Sequence, residues 1–330
     1  MDDRRGRRAR RGGTPCGEGG HRPGRNPQPR QADSVTQGPT AVAVLTNPLS
    51  GQGAAKAAGA RAITRFRERG LAVTELQGNS AAASVALARQ AVADGAQALV
   101  CVGGDGLISA GIQAVAQSGV PIGVIPAGTG NDTAREFSIP TGDPEAAADV
   151  VVAGKTKTID LARVGDAWFL TVLASGFDSK VTDRANSLTW PKGPMRYNVA
   201  ILAELAGLRA IPYRIELDDE TIEVDATLVS VGNTRSYGGG MRICPDAVVD
   251  DGLLDVTVVR HASRLRLAML MPTIYKGTHV KLDTVDTYRS KRVRLTADGI
   301  KADADGEPLA PLPLTIEAVA AAATIFVPST

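Results

Sequence analysis

Residues 100–115 read VCVGGDGLISAGIQAV, from Val100 to Val115. An apolar run stops in Gly103-Gly104-Asp105-Gly106 and gives way at once to a helical pattern. Glycine lets the main chain come close to a ligand, and the first turn of a helix leaves its amides unpaired. A strand that ends this way can present N–H groups to an anion. Outward from this turn the same alternation repeats. Ala41–Thr46 reads as a strand, Ala54–Arg69 as a helix ending at Gly70, and Leu71–Leu76 as a second strand. A helix follows over Ser80–Ala93, then a strand over Ala98–Val102, a helix over Leu107–Gln117 and a strand over Ile122–Ile125. Asp143-Pro144 opens a further helix through Ala153, with proline in the first helical position. Strand–helix units of this length predict a parallel sheet covered on both faces.

After Lys155 the texture changes. Strand patterns cluster over Thr158–Val164, Trp168–Leu173, Tyr213–Leu217, Ile222–Val231, Leu254–Val259 and Arg292–Thr296, with helical patterns at Met195–Leu208 and Arg264–Tyr275. The fold class is therefore α/β: an N-terminal parallel-sheet domain over residues 41–155, then a mainly β domain over 156–330 whose last strand has room to pack back on the first.

Residues 1–40 hold nine arginines and four acidic residues, a charge of +5. Since the whole chain carries +2, the other 290 residues carry −3. That balance argues against nucleic acid as the main partner of the globular part. The first forty residues have almost no large apolar side chain and read as a disordered basic arm. No apolar stretch follows Arg4-Arg5 or Arg7-Arg8, which argues against a secretion signal. Cys16, Cys101 and Cys244 are too far apart for a disulfide framework or a zinc site, so the chain reads as cytoplasmic. His21, His261 and His279 form no cluster, which leaves acid–base chemistry to carboxylates and hydroxyls. The apolar run from Ala318 to Pro328 is too short to span a bilayer.

Ligands of open parallel sheets bind beyond the carboxyl ends of the strands. Three glycine-rich turns fall there: Asn47-Pro48-Leu49-Ser50-Gly51, Gly103-Gly104-Asp105-Gly106, and Gly128-Thr129-Gly130-Asn131-Asp132. Any one of them is equally a plain tight turn; three on one edge suit a phosphate chain, with Ser50 and Thr129 as added hydroxyl donors. A lone carboxylate beside a phosphate cradle is costly unless it holds a cation, which gives Asp105 a role in holding Mg2+. The string G-x-x-x-x-G-K-[ST] is absent and no G-x-G-x-x-G follows the first strand, which excludes a P-loop and argues against a dinucleotide fold.

N-P-x-S-G, G-G-D-G and G-T-G-N-D in this order resemble the diacylglycerol kinase catalytic domain family, which includes sphingosine kinases and bacterial lipid kinases. The strings TNPLSGQGAA (46–55), IPAGTGNDTAREF (125–137), DRANSLTWPKGPMRY (183–197), GNTRSYGGG (232–240) and DDGLLDV (250–256) are similar to its mycobacterial branch, and the likeness covers roughly residues 41–328. The resemblance implies a nucleotide domain like that of NAD kinases and diacylglycerol kinases, a second domain like a β-sandwich, and ATP in the cleft between them. Its nucleotide contacts would fall on Asn47, Pro48, Leu49, Ser50 and Gly51, on Gly103, Gly104, Asp105, Gly106, Leu107, Ile108 and Ser109, and on Gly128, Thr129 and Asn131. Thr74, at the end of the second strand, is a weaker match. A structural Mg2+ of the family would fall on Asp251 with the carbonyls of Val248 and Leu253, where the residues alone read as an Asp-Gly turn. The chain departs from the family at one place: G-G-D-G-T followed by an Asn-Glu pair is replaced by Leu107 and by Ser109-Ala110.

For the acceptor, ADADGEPL (302–309) supplies Asp303, Asp305 and Glu307, which share one face if the segment is extended. Clustered carboxylates raise one another's pKa and make a usable base. Asp305-Gly306 is also a hairpin signal. The matching D-G-E segment of the family supplies the general base, which places that role on Glu307, with Asp305 orienting it or sharing it. Trp190 to Arg214 mixes aromatic, aliphatic and basic residues in a way that suits an interfacial segment or a core helix. Met269, Leu270 and Met271 suit an acyl groove or a core gap. The expected activity is transfer of the γ-phosphate of ATP, with Mg2+, to diacylglycerol at the inner face of the plasma membrane. The expected contact with the membrane is peripheral, and a homodimer is left open. Alternatives are a kinase of a sphingoid base or ceramide, and a nucleotide-binding regulator without catalysis; NAD as acceptor is disfavoured by N-P-x-S-G and D-G-E.

Overall fold

The computed structural model describes residues 34–35, 38–47, 54–176, 184, 210–261 and 263–329. In chain order these form β1 (Ser34–Val35), β2 (Ala41–Thr46), α1 (Ala54–Glu68), β3 (Ala72–Gln77), α2 (Ala81–Ala93), β4 (Leu99–Gly103), α3 (Asp105–Val115), β5 (Ile122–Pro126), α4 (Asp132–Glu136) and α5 (Pro144–Ala153). There follow β6 (Lys155–Val164), β7 (Ala167–Phe169), β8 (Val172–Gly176), β9 (Ile211–Glu216), β10 (Thr221–Gly232), β11 (Leu254–Arg260), α6 (Arg264–Lys276), β12 (Val285–Ser290), β13 (Arg292–Thr296), β14 (Lys301–Ala304), β15 (Glu307–Pro311) and β16 (Leu314–Phe326).

β2 to β5 pair in parallel in the order β3-β2-β4-β5. The chain leaves β2 to one side for β3 and returns to its other side for β4. The loops after β2 and β4 therefore diverge and open a crevice at their carboxyl ends. β4 and β5 are buried along their whole length and are apolar throughout, as central parallel strands must be. The helices start where their caps dictate: Ser80 accepts from the Ala83 amide at 3.2 Å and Asp143 from the Ala146 amide at 3.2 Å. α1 is held to α5 by Arg65 on Asp149 (2.6 Å) and by Arg61 on Glu145.

In the second half, β10 serves two layers. Its first part pairs β9 from Thr221 to Ala226, and its second part pairs β8 and β11. The change falls at an irregularity between Ala226 and Leu228, the kind of bulge that turns a strand from one sheet into another. Leu173, Tyr213, Val229, Val256 and Leu295 fill the core between the layers. Among the described residues the sheet continues past Lys155, because β16 pairs antiparallel with β6 and β13 and parallel with β5 at Ile325 and Ile122. The last strand thus packs on the first half.

Several expectations need correcting. The segment 1–40 was expected to be structureless, yet Ser34–Val35 pairs with Lys155 and Thr156, and Thr40 donates to the Gln97 side chain at 3.1 Å. Residues 1–33 lie outside the described residues. So does the helix expected over Met195–Leu208, with most of the interfacial segment Trp190 to Arg214. The single strand expected over Trp168–Leu173 is two strands, because the amides of Leu170 and Thr171 are taken by the Asp305 carboxylate instead of a ladder. β16 is the expected last strand; its ends carry β-branched residues, and its central alanines, which have no strand signal of their own, are carried through by pairing with β6. Met269, Leu270 and Met271 share no face: Leu270 is buried, Met271 half-buried and Met269 exposed.

Ile325 is fully buried where the last strand meets the first half. Ile325→Ala is expected to cost about 2–5 kcal/mol. Because β16 belongs to both halves, urea unfolding should shift as one transition; two separated transitions with only one displaced would contradict this.

Candidate active site

α3 begins directly beyond β4, with Gly104 as its N-cap and no side-chain cap. The Leu107 amide donates to the Gly104 carbonyl at 3.0 Å, which leaves the amides of Asp105 and Gly106 at the start of the helix for a ligand. Gly103 ends the strand, and a Cβ there would lie 2.9 Å from Leu107 Cδ2, so the buried Leu107 packs under the strand end. A Cβ on Gly128 would lie 2.5 Å from the Gly104 Cα. The second and third glycine turns therefore touch main chain to main chain. Asn131 clamps the third turn, accepting from the Gly128 amide (3.0 Å) and donating to its carbonyl (2.9 Å).

Asp105 has structural work besides any cation. Its carboxylate accepts from the amides of Thr133 (3.3 Å) and Asp132, and so caps α4, whose N-cap Asn131 offers no side-chain cap. Burial pushes the Asp105 carboxyl above its ordinary range, and the Asp132 and Asp305 charges push it further against the pull of those amides. Gly130 is packed against it: a Cβ there would lie 2.7 Å from Asp105 Oδ2. The bare backbone at Gly104, Gly128 and Gly130 is thus required by neighbouring protein atoms, a reason that turn chemistry alone does not reveal.

Asp132 is buried and accepts from the amides of Gly239 and Gly240, both at 2.7 Å, and pairs with Arg135 at 3.0 Å. One turn further on, Glu136 pairs with Arg235 at 3.1 Å. These contacts fasten the third glycine turn to residues 235–240 of the second half. The strings containing Asp132 and Gly238–Gly240 stand out in the sequence, but nothing there says that they meet.

Asp305 and Gly306 form the two-residue turn between β14 and β15, both with positive φ (52° and 80°), the conformation of a type I′ hairpin. This corrects the alternation expected for Asp303, Asp305 and Glu307, which needs an unbroken strand. The turn sends the two carboxylates to different tasks. Asp305 points inward and accepts from the amides of Leu170 (3.1 Å) and Thr171 (2.8 Å), the Thr171 hydroxyl (2.7 Å) and the Ser109 hydroxyl. Burial pushes its carboxyl up, and these donors pull it back. Glu307 stands at the start of β15 with its Oε1 where a Cβ on Gly106 would be 3.0 Å away, over the first turn of α3. Burial pushes its carboxyl up as well.

Asn47 directly follows β2 at the crevice, and Thr129 is exposed on the third turn. Pro48, Leu49, Ser50 and Gly51 lie outside the described residues. Thr74 is not at the end of its strand: β3 runs on to Gln77, and Thr74 pairs with Ala43, three residues back from the edge. At the Asp-Gly turn, Asp251 accepts from the Leu253 amide at 3.1 Å and is paired with Arg289, while Val248 is half-buried. Asp160 closes that turn through the Gly252 amide (2.6 Å) and the Ala321 amide (2.8 Å). Arg289 supplies the positive charge there, so a dication at Asp251 would require the arginine to swing away. Cys101 and Cys244 are buried, and desolvation pushes both thiols up to about 12.

A glycine-lined anion cradle on a parallel sheet, faced by a carboxylate from a β-sandwich-like half, defines a phosphotransferase. The diacylglycerol kinase catalytic domain matches residues 41–164, and the YegS C-terminal NAD kinase beta sandwich-like domain matches residues 171–327. A diacylglycerol kinase of Mycobacterium tuberculosis H37Rv is 52% identical over 293 residues, covering 87% of this chain and 95% of the relative. One of Bacillus subtilis is 26% identical over 268 residues, covering 80% and 88%. Among solved structures, a diacylglycerol kinase from Bacillus anthracis superposes with a TM-score of 0.72 at 21% identity, covering 89% of this chain and 98% of that one, which establishes the fold. The chain belongs to the diacylglycerol kinase family. It is a lipid kinase, and ATP is the substrate this family implies.

The two carboxylates of the hairpin should separate in experiment. Asp305→Asn is expected to lower stability by about 1–3 kcal/mol, the worth of hydrogen bonds to a buried charge. Glu307→Gln, at a site with no such partners among the described residues, is expected to stay within about 0.5 kcal/mol of the wild type. Urea midpoints of the two variants measure the difference.

Proposed function

We propose that the protein transfers the γ-phosphate of ATP to the free hydroxyl of diacylglycerol, giving phosphatidic acid. The observation that carries this reading is the position of Glu307 over the first turn of α3, where its Oε1 faces Gly106. Phosphate oxygens held by the amides of α3 would sit beside a carboxylate able to accept the acceptor's proton. As the acceptor oxygen bonds to the γ-phosphorus, its proton passes to Glu307, the bond from the γ-phosphorus to the bridging oxygen breaks, and ADP leaves. Asp305 acts as a positioning residue: it fixes the hairpin that presents Glu307 and, through Ser109, ties that hairpin to α3.

Among the described residues no three side chains gather to hold a metal by themselves, so a divalent cation here would rest on Asp105 and on the phosphates of the nucleotide. Asp105, Asp132 and Asp305 stand near enough for the charges of the other two to raise the Asp105 carboxyl, while Arg135 is paired with Asp132. Mg2+ held by Asp105 would neutralise charge on the β- and γ-phosphates. The curated relatives are named diacylglycerol kinase, which supports diacylglycerol as acceptor. A lipid acceptor with ATP as donor supports a peripheral position at the inner face of the membrane; among the described residues no helix is long and apolar enough to cross it.

Labelled ATP with Mg2+ and a panel of diacylglycerol, sphingoid base, ceramide and NAD tests the acceptor. Label in phosphatidic acid alone is expected; label in another product, or ATP binding without turnover, would overturn the reading. Glu307→Gln should lower kcat by about 10²–10⁴-fold. The base must be deprotonated, and burial raises its pKa, so the wild-type rate should fall as pH drops through a value above the ordinary carboxylate range. The Gln variant should lack that acid limb, and an unchanged limb would remove Glu307 from the role.

A further inference from the structure

α6 spans Arg264–Lys276, with the sequence RLRLAMLMPTIYK. It is apolar on two opposite sides. Leu267, Leu270 and Ile274 are buried against Val172, Leu228 and Ile243 and hold the helix to the protein. On the other side Leu265 is 70% exposed, Met269 58% and Tyr275 50%. Leu265, Met269 and Pro272 follow one another at helical spacing and form an outward stripe. A surface helix ordinarily places polar residues on its outer side, so an apolar stripe there calls for a partner.

The charge on the helix says which partner. Its thirteen residues include Arg264, Arg266 and Lys276 and no acidic residue. Arg266 and Lys276 are exposed beside the stripe. Basic residues flanking an apolar stripe match a bilayer carrying anionic headgroups, where the apolar side chains enter the acyl boundary and the cations meet the phosphates. An anionic bilayer answers both features at once, the apolar stripe and the cations beside it. The negative charge of residues 41–330 makes the local excess of cations on this helix the more distinct.

The helix is also joined to the catalytic edge. The Ile274 carbonyl accepts from the Arg242 amide at 3.2 Å, and Tyr237, Met241 and Met271 pack on the same cluster as the inner face of α6. That loop is the one whose Gly239 and Gly240 amides hold Asp132 beside the third glycine turn. A helix seated on a membrane would therefore hold the phosphate cradle in a fixed relation to it through directly bonded elements.

We propose that the outer face of α6 is the surface by which this enzyme docks on an anionic lipid bilayer. The proposal rests on the lipid-kinase reading above and adds the docking surface to it. The test uses the full chain and sedimentation with vesicles of phosphatidylcholine, with and without phosphatidylglycerol. Leu265→Ser with Met269→Ser removes exposed side chains only, so the thermal midpoint should stay put while binding to phosphatidylglycerol vesicles weakens about tenfold or more. Arg266→Ala with Lys276→Ala should abolish the preference for phosphatidylglycerol and reduce the salt sensitivity of binding. Both variants should phosphorylate a short-chain, water-soluble diacylglycerol at the wild-type rate and lose rate on vesicle-embedded diacylglycerol. Wild-type vesicle binding by the Leu265/Met269 variant overturns the docking proposal, as does loss of a dimer in that variant with vesicle binding intact. Failure of the wild type to phosphorylate the soluble acceptor overturns the diacylglycerol reading instead, and vesicle binding is then read independently.

Discussion

Main-chain contact between the turn at Gly104 and the turn at Gly128 fixes the edge on which the chemistry takes place. A single methyl on Gly128 would come within 2.5 Å of the Gly104 Cα, so the two turns can approach only as bare backbone. Their contact brings the carboxyl ends of β4 and β5 together at the start of α3, where the amides of Asp105 and Gly106 are offered. Everything that faces those amides, including the hairpin that carries Glu307, is built onto this contact.

The carboxylates around the edge serve as tools for joining elements. Asp105 caps α4, Asp132 receives two amides from the Gly238–Gly240 turn, and Asp305 receives two amides and two hydroxyls from β7–β8 and α3. Each bond to a main-chain amide offsets the desolvation of a buried acid. Three acids gathered in this way also create a field that repels further anions, and a phosphate ligand would need a cation to balance it.

The departure from the family string at Leu107 and Ser109 has a structural reading. Leu107 fills the space beneath Gly103 with an apolar side chain, where the threonine of the family string would bring a buried hydroxyl. Ser109 offers its hydroxyl to Asp305, so the position ties α3 to the hairpin of the second half. Packing and one hydroxyl bond account for both residues here.

Local chemistry made much of the fold legible. β2 matches its expected span of Ala41–Thr46, α5 starts at Pro144 after the Asp143 cap, and β13 runs over Arg292–Thr296 as read. In each case the signal is short in range: apolar alternation, a capping side chain, a proline in the first turn. The second and third glycine turns were legible for the same reason, as was the hairpin signal of Asp305-Gly306. The length of β16 and its partners were not legible, because its central run of alanines takes its conformation from the strands on either side. The assignment of tasks in the hairpin, with Asp305 inward and Glu307 toward α3, was likewise hidden. By itself the sequence determined the order of elements and the places where bare backbone and carboxylates occur. Only the tertiary structure decided which of them meet, because Asp132 and Gly239 or Asp305 and Thr171 lie more than a hundred residues apart and are joined by the folded sheet.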